Sequence, residues 1–158
     1  MEELKKIRPQ AVVALTTRTS KDEKNPEDVP TEEFEVFAAL ERAGMQVIGM
    51  RDNPRYATAP SNCVATHRND WSACEVPRDR KLLDLAELRS QIPEDIELID
   101  SAEVLCDVTC IAVLDGIVLY QDADHLTRTF TLTLQAWLAE KLHGLLGIED
   151  SPAMADPG

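Results

Sequence analysis

Three short apolar runs, set apart by amphipathic stretches, constrain what this chain can fold into. They are "AVVAL" (Ala11 to Leu15), "MQVIGM" (Met45 to Met50) and "IELID" (Ile96 to Asp100). A continuous apolar run such as "AVVAL" predicts a strand buried on both faces of a parallel sheet, since a half-solvated strand would alternate. Between the first two runs, Thr31 reads as a helix N-cap with Glu32 and Glu33 in the first turn. Phe34, Phe37 and Ala38 then share one helical face, Val36 and Leu40 widen it, and Gly44 closes the helix. The segment "RDRKLLDLAELRSQI" (78–92) predicts a second helix through Leu82, Leu85, Ala86 and Leu88, stopped by Pro93. "GIVLYQD" is a fourth short apolar run. From Thr127 onward, Phe130, Leu134, Trp137, Leu138, Leu142 and Leu145 recur at helical spacing. Alternating strands and helices imply a parallel sheet with helices on both faces, whose sites lie at the carboxyl ends of its strands.

At 158 residues the chain suits one domain. Its formal net charge of -13 excludes a nucleic-acid partner, because a phosphate backbone would be repelled. The acidic stretch "SKDEKNPEDVPTEEFE" reads as a solvated loop running into a helix start, within a polar loop from Thr16 to Pro30. A long irregular segment is expected over Ala57 to Arg78, and a disordered tail over 149–158. No apolar run approaches the ~20 residues a membrane-spanning helix needs. The start "MEELKKIRPQ" lacks the features of a signal peptide, so the chain as written is expected to stay in the cytoplasm.

Four cysteines fall in two local pairs, Cys63 with Cys74 and Cys106 with Cys110. Two short-loop disulfides fit that spacing, and so do four free thiols in a cytosolic protein. The spacing shows neither C-x-x-C knuckles nor placed histidines, so no metal is expected there. The stretch "YQDADHLTRTF" puts Asp122 three residues before His125, on one helical face if a helix starts there. An aspartate so placed can accept the Nδ1 proton of the imidazole and leave Nε2 free as a base. On so short a pattern a helix cap by Asp122 or Asp124 is the commoner meaning. A divalent-metal reading of Asp122, Asp124 and His125 is weaker, with no second cluster to complete the ligand set.

Taken together, "VIGMRDNPR", the Cys63/Cys74 segment "NCV…DWSACEVPRDR", "LCDVTC" and "VLYQDADHLT", in that order, resemble the SGNH hydrolase-like domain fused to bacterial acyltransferase-3 membrane O-acyltransferases. The similarity runs from about Arg8 to about Leu146. It implies a flavodoxin-like three-layer α/β/α sandwich over 1–148, outside the cytoplasmic membrane as part of a longer membrane protein. The implied activity is acyl transfer, often of acetyl, to sugar hydroxyls of cell-surface glycans. The acyl donor would be carried by the membrane acyltransferase domain, and no cofactor is implied. Asp122 would be the triad acid and His125 the triad base, and Cys63–Cys74 and Cys106–Cys110 would be structural disulfides.

The sequence departs from the family pattern at the nucleophile. The family's serine stands in a Gly-Asp-Ser turn after the first strand. None of Ser20, Ser61, Ser72, Ser90, Ser101 or Ser151 follows a Gly-Asp pair. The first strand and its serine turn would lie upstream of this chain, leaving the acid–base pair idle on its own. No oxyanion asparagine stands in the loop after "AVVAL", where Thr17 and Arg18 are the residues available. A missing first strand also predicts an open sheet edge and self-association. Two further readings remain: a non-catalytic glycan-binding or scaffolding module, and a hydrolase using a different nucleophile.

Overall fold

A computed structural model describes residues 2–148; the expected tail over 149–158 lies outside the described residues. Strands are β1 (Ala11–Leu15), β2 (Arg18–Thr19), β3 (Glu27–Asp28), β4 (Gln46–Met50), β5 (Val76–Pro77), β6 (Glu97–Ile99), β7 (Thr109–Cys110), β8 (Val113–Leu114) and β9 (Ile117–Val118). Helices are α1 (Glu2–Ile7), α2 (Phe34–Arg42), α3 (Pro60–Thr66), α4 (Leu85–Arg89), α5 (Ala102–Leu105), α6 (Arg128–Thr133) and α7 (Gln135–Leu146). The three predicted apolar runs form one parallel sheet in the order β1-β4-β6, with Val13 opposite Ile48 and Ile48 opposite Glu97. Its parallel strands are joined by helical crossovers, as the sequence pattern predicts.

One core packs on α2 and α4: Phe37, Leu40, Val47, Leu88, Ile92 and Leu98 are all buried together. The amphipathic spacing of α2 sends Phe37 and Leu40 inward, each burial contributing roughly 1.5–3 kcal/mol. Gly44, at φ 83°, turns the chain out of α2 in a conformation that suits glycine. Gly49 in β4 answers a different need. A Cβ there would lie 2.7 Å from Thr16 Cγ2 and 3.1 Å from Ile96 Cγ2, so the crowded end of the sheet requires its absence. A second core gathers Tyr56, Leu82, Leu105, Leu119, Tyr120 and Phe130 beneath the carboxyl end of the sheet.

Several expectations need correction. Strand β1 is not buried on both faces. Val12 and Ala14 pack on the first core, whereas Val13 and Leu15 are 46% and 50% exposed at the sheet edge. Thr31 makes no capping hydrogen bond; a 3-10 turn, Thr31–Glu33, leads into α2 instead. The long helix expected over 78–92 breaks into a 3-10 turn at Arg78–Arg80 and the short α4, because Asp84 caps a new start by accepting from Ala86 N–H at 2.8 Å. Lys81, inside the expected helix, is instead buried with Nζ 5.0 Å from the centre of the Tyr56 ring. The segment expected to be irregular, 57–78, holds α3 and a 3-10 turn at Trp71–Cys74. The fourth apolar run joins no parallel sheet: β9 pairs antiparallel with β8 in a small hairpin.

The acidic loop is also less solvated than its composition suggests. Glu27 is buried against Arg51 in a charge cluster that closes the carboxyl end of the sheet. Arg51 donates to Glu27 from Nε at 2.9 Å and from Nη2 at 2.6 Å, to Asp100 from Nη1 at 3.2 Å, and to the Leu83 carbonyl at 2.6 Å. Burial pulls the guanidinium pKa down, but Glu27 and Asp100 outweigh it and hold it above its ordinary value.

Candidate active site

The segment Arg51–Tyr56, "RDNPRY", leaves β4 at the carboxyl edge of the sheet and carries the site loop. Arg51 and Asp52 turn inward. Asp52 accepts from the backbone N–H and hydroxyl of Thr19, at 3.1 and 3.0 Å, and its own N–H donates to Thr17 Oγ1. Asn53 and Tyr56 reach the loop that carries Asp122 and His125. Asn53 Nδ2 donates to the Asp124 carbonyl at 2.9 Å, and Tyr56 N–H donates to the Ala123 carbonyl at 2.8 Å. The loop is closed at its base by the Tyr120–Leu126 bridge and by Gln121 N–H donating to the His125 carbonyl at 3.0 Å. Below it the Tyr56 and Tyr120 rings meet edge to face, centroids 4.9 Å apart, and burial pushes the Tyr56 phenol up to about 12. The loop thus reaches the sheet's carboxyl rim through β4, although the apolar run just before it lies outside the sheet.

Within the loop Asp122 does two things at once. Its Oδ1 accepts the backbone N–H groups of Asp124 and His125 at 3.0 and 2.7 Å, which fixes the turn. Its Oδ2 lies 2.9 Å from His125 Nδ1. The Asp124 N–H, then the His125 N–H and then the imidazole hold its carboxyl well below the usual carboxylate range, against an opposing contribution from desolvation. An ionised Asp122 accepts the Nδ1 proton and leaves Nε2 as the basic nitrogen. The imidazole is open to the outside, at 70% side-chain exposure.

The helix-cap meaning of the pattern belongs to another residue. Thr127 caps α6, accepting from Phe130 N–H at 3.2 Å while its hydroxyl donates to the Val118 carbonyl at 2.7 Å. The ligating atoms of Asp122, Asp124 and His125 do lie within 4.8 Å of one another. Asp122 accepts two backbone amides on Oδ1 and faces the imidazole with Oδ2, so a cation on Oδ2 would displace the His125 contact.

Asp124 faces Arg55, whose Nη1 is 3.9 Å from its Oδ2 and whose Nη2 is 3.3 Å from Asp52. Arg55 therefore ties the loop to its support by charge as well as by the backbone. Next to the loop, Leu15, Met50, Asn53, Leu126 and Trp137 line a cavity of about 180 Å³. Thr17 is buried under Asp52, and Arg18 pairs with Glu33 on the outside. Each serine among the described residues is bonded elsewhere: Ser20 to Asp22, Ser61 to the Gln121 carbonyl, Ser72 to Asp70, Ser90 to Glu87 and Ser101 to Asp52. Ser151 lies outside the described residues.

Both cysteine pairs are disulfides. Cys63–Cys74 joins α3 to the following 3-10 turn with Cα atoms 5.7 Å apart, and Cys106–Cys110 closes a tight loop with Cα atoms 4.0 Å apart. Residues 1–140 match the family model described as the SGNH domain (fused to AT3 domains). The chain belongs to this family. A solved structure of the lipopolysaccharide acetyltransferase periplasmic domain from Salmonella ser. Paratyphi A superimposes on the SGNH domain with a TM-score of 0.55 at 17% identity. That match covers 89% of this chain and 59% of the solved one, and it shows the SGNH-like α/β/α fold. No curated protein sequence matches the chain. Among the described residues no helix of this SGNH domain is long and apolar enough to cross a membrane.

Sequence reasoning paired Asp122 with His125 but missed the residues that mount the pair. Asn53, Arg55 and Tyr56 stand in "RDNPRY", whose density of polar, Pro-interrupted residues directly after a strand was the signal available. His67, one turn beyond Cys63, was missed as well; its Nδ1 lies 3.5 Å from Cys63 Sγ.

Proposed function

We propose that this SGNH domain supplies the acid–base half of an acyl-transfer site in a cell-envelope glycan O-acyltransferase, working at the extracytoplasmic side of the membrane. The observation that supports this reading best is the Asp122–His125 pair, with Oδ2 2.9 Å from Nδ1 and the carboxylate fixed by two backbone amides. In that role Nε2 of His125 takes the proton of a serine hydroxyl as it attacks an acyl donor, then returns it to the departing group. A sugar hydroxyl is next deprotonated by the same nitrogen and receives the acyl group. Asp122 holds the tautomer and stabilises the imidazolium in both halves. The domain family's fusion to AT3 domains and the periplasmic lipopolysaccharide acetyltransferase of similar fold point to an acetyl group and a glycan acceptor.

No serine hydroxyl among the described residues is bonded to His125, so this reading takes the nucleophile from outside them and expects no turnover from this chain alone. Incubation with a chromogenic acetyl ester tests this. The expected rate equals that of buffer. Turnover abolished by His125→Ala would place the nucleophile within this chain and overturn the reading, with Ser61 the first residue to replace. Titration with acetyl-accepting oligosaccharides while following the His125 ring by NMR tests the acceptor side, with shifts expected at His125 and Asp124.

Among the described residues no strand pairs with the outer flank of β1, which supports self-association, since Val13 and Leu15 present apolar surface there. Sedimentation should show association that Val13→Lys relieves.

A further inference from the structure

A second set of ligating side chains lies away from the Asp122–His125 loop. Cys63 sits in α3, His67 follows the helix end, and Cys74 closes the 3-10 turn Trp71–Cys74. His67 Nδ1 is 3.5 Å from Cys63 Sγ and 4.0 Å from Cys74 Sγ. We propose that reduction of the Cys63–Cys74 disulfide turns this corner into a zinc site, with the two thiolates and His67 Nδ1 as protein ligands and water in the fourth position.

The geometry carries the proposal. Zinc binds thiolate at about 2.3 Å and imidazole nitrogen at about 2.0–2.1 Å, so in a tetrahedral site nitrogen and sulfur lie about 3.5 Å apart. His67 already stands near that separation from both sulfurs. Two thiolates on one zinc lie about 3.8 Å apart, a spacing that side-chain rotation from Cα atoms 5.7 Å apart can reach.

The corner also has reasons to keep its shape without the disulfide. His67 N–H donates to the Cys63 carbonyl at 2.9 Å, and Asp70 caps the 3-10 turn, accepting from the Ser72 N–H at 3.2 Å and the Ser72 hydroxyl at 2.6 Å. Cys74 is buried beside Val64 and Ala112. Among the described residues no third ligating side chain clusters with Cys106 and Cys110 in this way.

The conversion balances in two steps. A dithiol reductant gives two electrons and two protons to the disulfide and is itself oxidised to a disulfide. Zinc then displaces both thiol protons, and the imidazole binds neutral with its proton on Nε2, giving up the 3.1 Å contact from Nδ1 to the Cys63 carbonyl. Under reducing conditions the metal takes over the link between α3 and the turn; a disulfide oxidant that takes two electrons, itself becoming a dithiol, restores the Cys63–Cys74 bond and expels the metal. None of this depends on the role assigned to His125.

Cobalt(II) titration of the full chain, reduced with a phosphine, tests the site. The expected result is one cobalt per chain with sulfur-to-metal charge-transfer bands and intense tetrahedral d–d bands, displaced by zinc and absent from the oxidised protein. His67→Ala should weaken binding at least about tenfold, and the Cys106→Ser/Cys110→Ser double variant should bind like wild type. Unchanged binding in His67→Ala, loss of binding in the double variant, or equal affinity for the urea-unfolded chain would each overturn the proposal.

Discussion

The carboxyl end of the sheet holds two groups of charges built on opposite plans. Around Arg51 every donor direction is filled and the side chain is removed from water, with Glu27 and Asp100 closing on it. Around His125 one nitrogen is held by Asp122 while the rest of the ring stands in the open. Both depend on the same six residues after β4. A saturated cluster has nothing left to offer a substrate, and it works as a clamp between β3, β4 and the end of β6. The exposed pair retains an unused basic nitrogen, which is what a proton carrier requires. Chemistry is therefore sought where hydrogen bonding is incomplete, although the buried cluster is the more conspicuous.

Breaking the clamp should give the largest effect. Arg51→Met leaves Glu27 buried without its cation and Asp100 with only Arg78, 3.8 Å away, and should cost about 3–5 kcal/mol in urea unfolding. A loss within error of zero would show that water reaches this cluster and would erase the contrast. A smaller effect is expected from Thr127→Ala. It removes the cap of α6 and the hydroxyl bond to Val118 just beyond the loop, with an expected loss of about 1–2 kcal/mol. His125→Ala should leave the denaturation midpoint where it is, because the ring is exposed and its loop is held at its backbone carbonyls by the Asn53 side chain and the Tyr56 N–H.

The smallest change is one of pH. Asp122 titrates lower in the folded chain than in the unfolded one, so its contribution is complete above the ordinary carboxylate pKa and fades only as pH falls through the lower folded value. Amide exchange at Asp124 and His125 should accordingly stay slow well into the acid range. Early loss of that protection, near the ordinary carboxylate pKa, would mean that Asp122 is not held as described.

Local pattern made the sheet legible. β1, β4 and β6 fall on the three apolar runs within a residue or so, and the Asp122–His125 pair is a contact between neighbours in sequence. What remained hidden was non-local. Glu27 looks solvated in an acidic stretch because its cation stands 24 residues later. The leucines of 78–92 keep helical spacing, yet Asp84 restarts the helix and Lys81 is drawn to an aromatic ring that sequence distance conceals. His67 escaped notice because no histidine was read as well placed for the cysteines, although it stands one helical turn after Cys63 and reaches its sulfur. β1 was read as buried on both faces from its composition, which does not reveal what lies beside an edge.

The moorings of the loop that presents His125 have a practical consequence. Asn53 and Tyr56 grip the carbonyls of Asp124 and Ala123, atoms that every amino acid possesses. The side chain at 123 can therefore be recoded, to enlarge, charge or narrow the approach to the imidazole, without unfastening the base. On the proposed reading, that position is a lever on acceptor choice that leaves the anchor intact.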